Sequence, residues 1–274
     1  MRIGNREFDT ENNCYIMGIL NITPDSFSDG GNFNSLDTAL KHVDRMLKDG
    51  VDIIDVGGES TRPNYTKISE QEEITRIAPV IEAIKKNFDI PVSLDTYKYK
   101  VAEAGIQAGA DFINDIWGLT YDNGEMAHLI AKHSLPCCLM HNRTNMNYYN
   151  FMNDVLDDMK HIISIAQKAG IEKNKIILDV GVGFAKTYEN NLEIINHLDS
   201  FKNSLGFPVL LGTSRKSVIG LTLNLPIEDR LEGTLATTVI GVMKGVSFVR
   251  VHDVKENIRA VKMTQAIMKG YLHG

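Results

Sequence analysis

Asp95, Asn114 and Asp179 each end a short apolar run, and Lys216, Arg250 and His252 close two longer ones. Hydrogen-bonding or charged side chains finish eight such runs, always downstream: Tyr15–Asn21, Ile53–Glu59, Pro91–Asp95, Asp111–Asp115, Pro136–His141, Ile176–Asp179, Pro208–Lys216 and Val246–Asp253. The polar set divides by chemistry. Asp95, Asn114 and Asp179 are acceptor-rich and follow apolar residues, so they belong deep in a pocket. A buried carboxylate needs a partner, and a ligand edge with adjacent N–H donors engages one in bidentate fashion. The 2-amino-4-oxo-pyrimidine edge of a guanine or a pterin has that form. Arg62, Lys216, Arg250 and His252 instead suit a phosphate or pyrophosphate, and Asn21 suits a phosphate or a metal-bound oxygen. The two groups together fit a heterocycle that carries a pyrophosphate.

Other chemistries use the same residues. Any single polar strand end can equally serve just to cap or hydrate the rim, although a set on eight runs is harder to read that way. Asp95 and Asp179 could form a general acid/base pair, as in a glycosidase or aldolase. Lys216 could form a Schiff base, but Arg215 and the Ser/Thr-rich neighbourhood favour anion binding. No two histidines share a ligand spacing on one element, which disfavours a dedicated zinc site. A hard cation such as Mg²⁺, held partly by substrate phosphates, fits better.

Continuous apolar runs are the mark of buried parallel strands, and parallel α/β folds bind ligands at the carboxyl ends of those strands. Helical periods fall between the runs: Leu36, Leu40, Val43 and Leu47 before Gly50, and Ile74, Ile77, Ile81 and Ile84 after a capping box at Ser69–Glu72. Pro79 should kink that second helix. Val155, Ile162, Ile163 and Ala166 form a third stripe. Leu192, Ile195, Leu198 and Leu205 lead to Gly206, and Val254, Ile258, Val261 and Ile267 form the last stripe. Eight alternations of strand and helix predict an α/β protein, a single-domain (β/α)8 TIM barrel over residues 1–274. A doubly wound sheet would want G-x-G-x-x-G after the first strand, where the sequence has Asn21-Ile-Thr-Pro-Asp-Ser-Phe27. Gly181-Val-Gly183-Phe-Ala-Lys186-Thr lacks phosphate-loop spacing. The loops 23–34, 60–68 and 141–150 are long and polar, so we expect them to cover the mouth.

Within one strand, side-chain parity pairs Ser93 with Asp95 and Arg250 with His252 on a shared face. The 274 residues suit one large domain, and 43% hydrophobic content fills a sizeable core. A net charge of −6 argues against nucleic-acid or anionic-membrane partners. Three cysteines make no complete disulfide framework, and Cys137 and Cys138 read as core filling. No apolar run spans a bilayer and no signal sequence opens the chain, so we expect a cytoplasmic protein.

The motifs also carry a family likeness. Asn21-Ile-Thr-Pro-Asp-Ser-Phe-Ser-Asp-Gly-Gly31, Asp55-Val-Gly-Gly-Glu-Ser-Thr-Arg-Pro63 and Gly212-Thr-Ser-Arg-Lys-Ser217 resemble the signatures of the dihydropteroate synthase family of pterin-binding TIM barrels. Ser93-Leu-Asp-Thr96, Asn114-Asp-Ile-Trp-Gly118 and Arg250-Val-His-Asp253 match as well, so the resemblance runs the length of the chain in order. It implies a transferase that condenses 6-hydroxymethyl-7,8-dihydropterin pyrophosphate with p-aminobenzoate to 7,8-dihydropteroate and pyrophosphate. By that resemblance Asp95, Asn114 and Asp179 read the pterin edge, Lys216 lies on its oxo/N5 side, and Arg250 lies over the ring. Asn21, Thr61, Arg62, Arg250 and His252 surround the pyrophosphate, with Mg²⁺ near Asn21. Phe27, Thr61, Arg62, Pro63, Phe184, Lys216 and Ser217 form the p-aminobenzoate site, with Ser217 at a helix N-terminus. A homodimer through the outer helices is implied by the resemblance alone.

Two positions depart from the family pattern. Val180 replaces the usual proline after Asp179, and Asn64 stands where glycine is common; neither removes a proposed contact. Two competing readings share the pterin acids. A pterin-dependent methyltransferase would have no use for the Arg62, Arg250 and His252 cluster. A non-catalytic pterin-binding paralogue would not need the Asn21 loop, Arg62 and Lys216 together.

Overall fold

The computed structural model describes residues 1–22, 31–59 and 67–270, with the side chains of 31–35 excepted. Eight parallel strands close into a barrel: β3 (Tyr15–Asn21), β4 (Ile53–Gly57), β5 (Val92–Asp95), β6 (Phe112–Asp115), β7 (Cys137–Met140), β8 (Ile176–Asp179), β9 (Val209–Leu211) and β10 (Phe248–Val251). β10 pairs with both β3 and β9, which completes the ring. Among the described residues ten α-helices lie between and after the strands, as the alternation of sequence periods requires. The expected α/β TIM barrel is therefore the fold. A short antiparallel hairpin, β1 (Arg2–Ile3) with β2 (Arg6–Glu7), precedes it and left no signal in the sequence pattern.

Period-two alternation divides the strands between two cores, except that the inward residues of β5, Ser93 and Asp95, are polar. Outward residues such as Ile16, Ile54, Leu94, Leu139, Leu178 and Val251 join the helices in the larger core. Inward residues Met17, Ile53, Phe112, Cys138, Ile177, Leu210 and Phe248 form a second core, which Ile3 and Phe8 join from the hairpin end. This inner cluster is an apolar floor beneath the carboxyl-terminal mouth. Cys137 and Cys138 point to opposite sides of the wall, both buried and free, as the alternation predicts.

The helices follow the expected periods, with one change in detail. α2 (Glu70–Asn87) runs unbroken through Pro79, and its Ser69 cap accepts from the Glu72 amide at 3.1 Å. The stripe ending at Leu205 is two helices, α6 (Tyr188–Asn196) and α7 (Leu198–Leu205), which meet at His197. Leu192 is exposed. A capping box that pattern reading passed over, Thr187 with Asn190, starts α6.

Phe112 is fully buried in the floor. Phe112→Ala should destabilise the barrel by about 3–5 kcal/mol through lost burial and an unfilled cavity. Urea unfolding measures that difference, and a loss under about 1 kcal/mol would show that the floor collapses to fill the gap.

Candidate active site

Strand register carries the acceptor set to the mouth. Asp95 lies beside Asn114 on one side and Gly57 on the other, while Asp179 lies beside Met140. All face inward by parity, directly above the apolar floor. Gly57 and Gly212 face the same space. A β-carbon at Gly57 would stand 3.6 Å from Asn21 Oδ1 and 3.8 Å from Asp95 Oδ2. One at Gly212 would stand 3.8 Å from both Asp179 Oδ2 and Lys216 Nζ. Glycine at these two strand ends keeps room between the polar groups for a flat ligand.

Arg250 ties the carboxylates together. Its Nε donates to Asp55 Oδ2 and its Nη2 to Asp95 Oδ2, each at 2.6 Å. Asp55 also accepts from Ser93 Oγ at 2.5 Å and, more weakly, from Asn114 Nδ2 at 3.4 Å. Asp55 is fully buried and sequence reasoning gave it no role. The signal was available: Asp55 interrupts an apolar run and shares the inward parity of Gly57.

Burial governs the electrostatics. It pushes the Asp95 carboxyl up to about 7, against the pull of Arg250 and with help from Asp55. Burial also raises Asp179, opposed by Lys216 and by the Gly181 amide, which donates to Asp179 Oδ1 at 2.7 Å. The Lys216 ammonium is brought down to about 8 by burial, against Asp179. Burial acts against the Arg250 charge too, but Asp55 and Asp95 outweigh it and raise its pKa. Among the described residues, Asp95 Oδ1 is the one buried side-chain polar atom with no hydrogen-bond partner. An unsatisfied buried acceptor is costly, so this atom marks where a ligand N–H belongs.

The remaining expected residues divide. Lys216 donates to the Val182 carbonyl at 2.5 Å and lies 4.9 Å from the centre of the Phe184 ring. His252 falls one residue beyond β10 and is held by Ser214, whose Oγ lies 3.0 Å from Nδ1. Ser217 opens the seven-residue α8 (Ser217–Leu223) with its side chain exposed. Tyr97, Ile116 and Met140 form an apolar cluster at the mouth, joined by Trp117 and Phe184. Apart from Phe184, pattern reading assigned none of these a role, because apolar mouth residues look like core. Phe27, Thr61, Arg62, Pro63 and Asn64 lie outside the described residues. Asn21 closes β3, and the described residues contain no group of three or more His, Cys, Asp or Glu able to hold a metal.

The chain carries the model of the pterin binding enzyme family across residues 17–252. It is 62% identical to the dihydropteroate synthase of Clostridium beijerinckii over 98% of this chain and 100% of that protein. Identity to the Bacillus subtilis dihydropteroate synthase is 52%, over 94% of this chain and 90% of that one. The chain belongs to the dihydropteroate synthases, within the pterin-binding enzymes. Solved structures of such synthases share its barrel. The enzyme from Clostridium difficile, crystallised in the presence of pteroic acid, has a TM-score of 0.92 at 51% identity and covers 95% of this chain and 99% of its own. The Xanthomonas albilineans synthase with 4-aminobenzoic acid has a TM-score of 0.88 at 37% identity, covering 94% of each chain.

Removal of Arg250 tests the charge balance. An unfolded Asp95 titrates near 3.8 and the folded one at about 7. Between those values the folded protein holds the extra proton, so this group makes stability fall as pH rises through the window. Arg250→Met should therefore cost about 3–5 kcal/mol at pH 8, where two buried carboxylates lose their cation. Part of that loss should disappear at pH 5, where Asp95 carries a proton. Urea unfolding at both pH values checks this, and an equal loss at each would count against it.

Proposed function

We propose that the chain condenses 6-hydroxymethyl-7,8-dihydropterin pyrophosphate with p-aminobenzoate, forming 7,8-dihydropteroate and releasing pyrophosphate in folate biosynthesis. The observation that carries the site assignment is the orphaned Asp95 Oδ1, an acceptor beside Asn114 and above an apolar floor. A 2-amino-4-oxo-pyrimidine edge brings the N–H donors this pocket asks for. Asp179 takes a second part of that edge, and Lys216 lies across from it on the oxo/N5 side. Arg250 lies against the ring plane. The cluster of Ile116, Met140 and Phe184 supplies apolar contact to the heterocycle.

Catalysis on this reading is placement and charge stabilisation. Arg250 and His252 face the departing pyrophosphate, and Arg62 joins them on the sequence-based expectation. The dihydropterin spreads positive charge from its exocyclic carbon, and Asp95 and Asp179 favour that charge. The arylamine nitrogen then attacks the carbon; an aniline is already neutral near pH 7, so no dedicated base is required. Phe184, Lys216 and Ser217 take the arylamine and its carboxylate, with Phe27, Thr61 and Pro63 expected beside them. Asn21 offers a single amide oxygen, so a Mg²⁺ here would be held chiefly by the substrate phosphates and water. Such an ion would supply Lewis-acid stabilisation of the leaving group's charge.

Pyrophosphate release upon mixing both substrates separates this activity from a pterin-dependent methyl transfer and from pterin binding alone. Lys216→Ala should lower kcat/KM by about 10²–10³-fold, the scale of one lost charge-stabilising donor. Retention of the wild-type rate would remove Lys216 from the mechanism.

We further propose a cytoplasmic homodimer. Three free, buried cysteines accord with a reducing compartment. No described helix is long and apolar enough to cross a membrane. On the outer surface, α9 (Leu231–Met243) and α10 (Val254–Gly270) expose Ile240, Met243, Met263 and Ile267, away from the mouth. Apolar residues so gathered favour a second copy as the cover. Met243→Asp combined with Met263→Asp should move the elution volume from dimer to monomer with the circular dichroism unchanged. A wild-type monomer would contradict the assembly.

A further inference from the structure

Outside the substrate-facing set lies a buried cluster that the reaction scheme does not use. Lys186, placed just before α6, turns away from solvent into the wall of the barrel. Its Nζ donates to the Gly181 carbonyl at 3.0 Å, to the Phe184 carbonyl at 3.1 Å, and lies 2.8 Å from His141 Nδ1. His141 is fully buried at the end of β7, with Nε2 2.9 Å from Asp158 Oδ2 on α5 (Phe151–Lys168). Burial pushes the imidazole down to about 4, so the ring is neutral near pH 7. A neutral ring has one N–H. Asp158 can only accept, so Nε2 carries the proton and Nδ1 accepts from the lysine. Burial also draws the lysine down to about 7, against Asp179. Three acceptors around one amine engage all three N–H bonds of the ammonium and oppose that pull.

The segment this ammonium holds is the one that carries Phe184. Gly181 and Gly183 take φ of +69° and +84°, and Ala185 takes +44°, a conformation that L-residues disfavour. A β-carbon at Gly181 would meet the His141 carbonyl oxygen at 2.0 Å. A turn with these requirements needs outside support. On its inner side Lys216 binds the Val182 carbonyl, and on its outer side Lys186 binds the carbonyls of Gly181 and Phe184. The Gly181 amide is also the donor to Asp179. We propose that Lys186, aimed by the Asp158–His141 pair, is a positioning residue that fixes the 181–184 turn and thereby sets the placement of Phe184 for the arylamine. The Arg143 guanidinium strengthens the aim, since its Nε reaches the same Asp158 oxygen at 2.5 Å. Asp95 and Asn114 stand on β5 and β6, away from this turn, whereas Asp179 meets it through the Gly181 amide.

The inference rests on the proposed synthase reaction, and its test has one readout that needs no turnover. Lys186→Met keeps the stem and removes all three donors. Hydrogen–deuterium exchange across 180–187 should quicken relative to wild type. In steady-state assays the KM for p-aminobenzoate should rise about tenfold to 100-fold, the range for a small misplacement of a contacting group. The KM for the pterin pyrophosphate should rise less, since of Asp95, Asn114 and Asp179 only Asp179 touches this turn. His141→Leu should reproduce the selective rise, and the double variant should be far from additive, because both changes act through one ammonium. If Lys186→Met does not fold, His141→Leu carries the same comparison. Unchanged exchange, or an equal rise in both KM values, would overturn the assignment. A wild-type protein that releases no pyrophosphate would count against the reaction instead, and the exchange rates alone would then decide the clamp.

Discussion

Three carboxylates, Asp55, Asp95 and Asp179, share the mouth of one barrel above a floor of apolar side chains, and two cations must offset them. Arg250 binds the first two directly, and Lys216 faces the third. Removed from water, such charges are expensive unless paired. The pairing here is incomplete by design of the geometry: Asp95 keeps one oxygen without a partner and sits at about 7. Part of the protein's stability is thus exchanged for an acceptor whose hydrogen bond the proposed pterin would supply.

The rest of the architecture serves that arrangement. The N-terminal hairpin and the inward aromatic residues exclude water from below, which keeps the dielectric low where the charges stand. Gly57 and Gly212 leave space between them. Outward-facing polar residues at the same strand ends have another task. Asp115 caps the turn after β6 by accepting from the amides of Trp117 and Leu119, and His141 aims Lys186 at the turn after β8. Parity along each strand thus separates groups that face the mouth from groups that shape the loops around it.

How much could be read in advance follows the same division. Asp95, Asn114, Asp179 and Arg250 were legible because a polar residue ending an apolar run is conspicuous and its facing follows from counting by two. Asp55 was not, since its role exists only through Arg250, which is 195 residues away in the chain. Lys186 invited comparison with a phosphate-binding lysine, yet its ammonium is spent on two carbonyls and a histidine. Helix periodicity likewise carried one stripe across His197, where the chain begins a second helix. Local patterns do not record such breaks when both helices are short.

From the sequence by itself came the alternation of buried strands and amphipathic helices, the barrel that this requires, and the end of the barrel where acidic and cationic side chains gather. Those properties depend on side-chain type and on periods of 2 and 3.6 residues, which are local. Tertiary structure alone decided which cation answers which carboxylate, which acceptor was left for a ligand, and which lysine points inward to hold a turn. Each of those depends on distances of about 3 Å between residues on different strands, and only closure of the ring brings them that near.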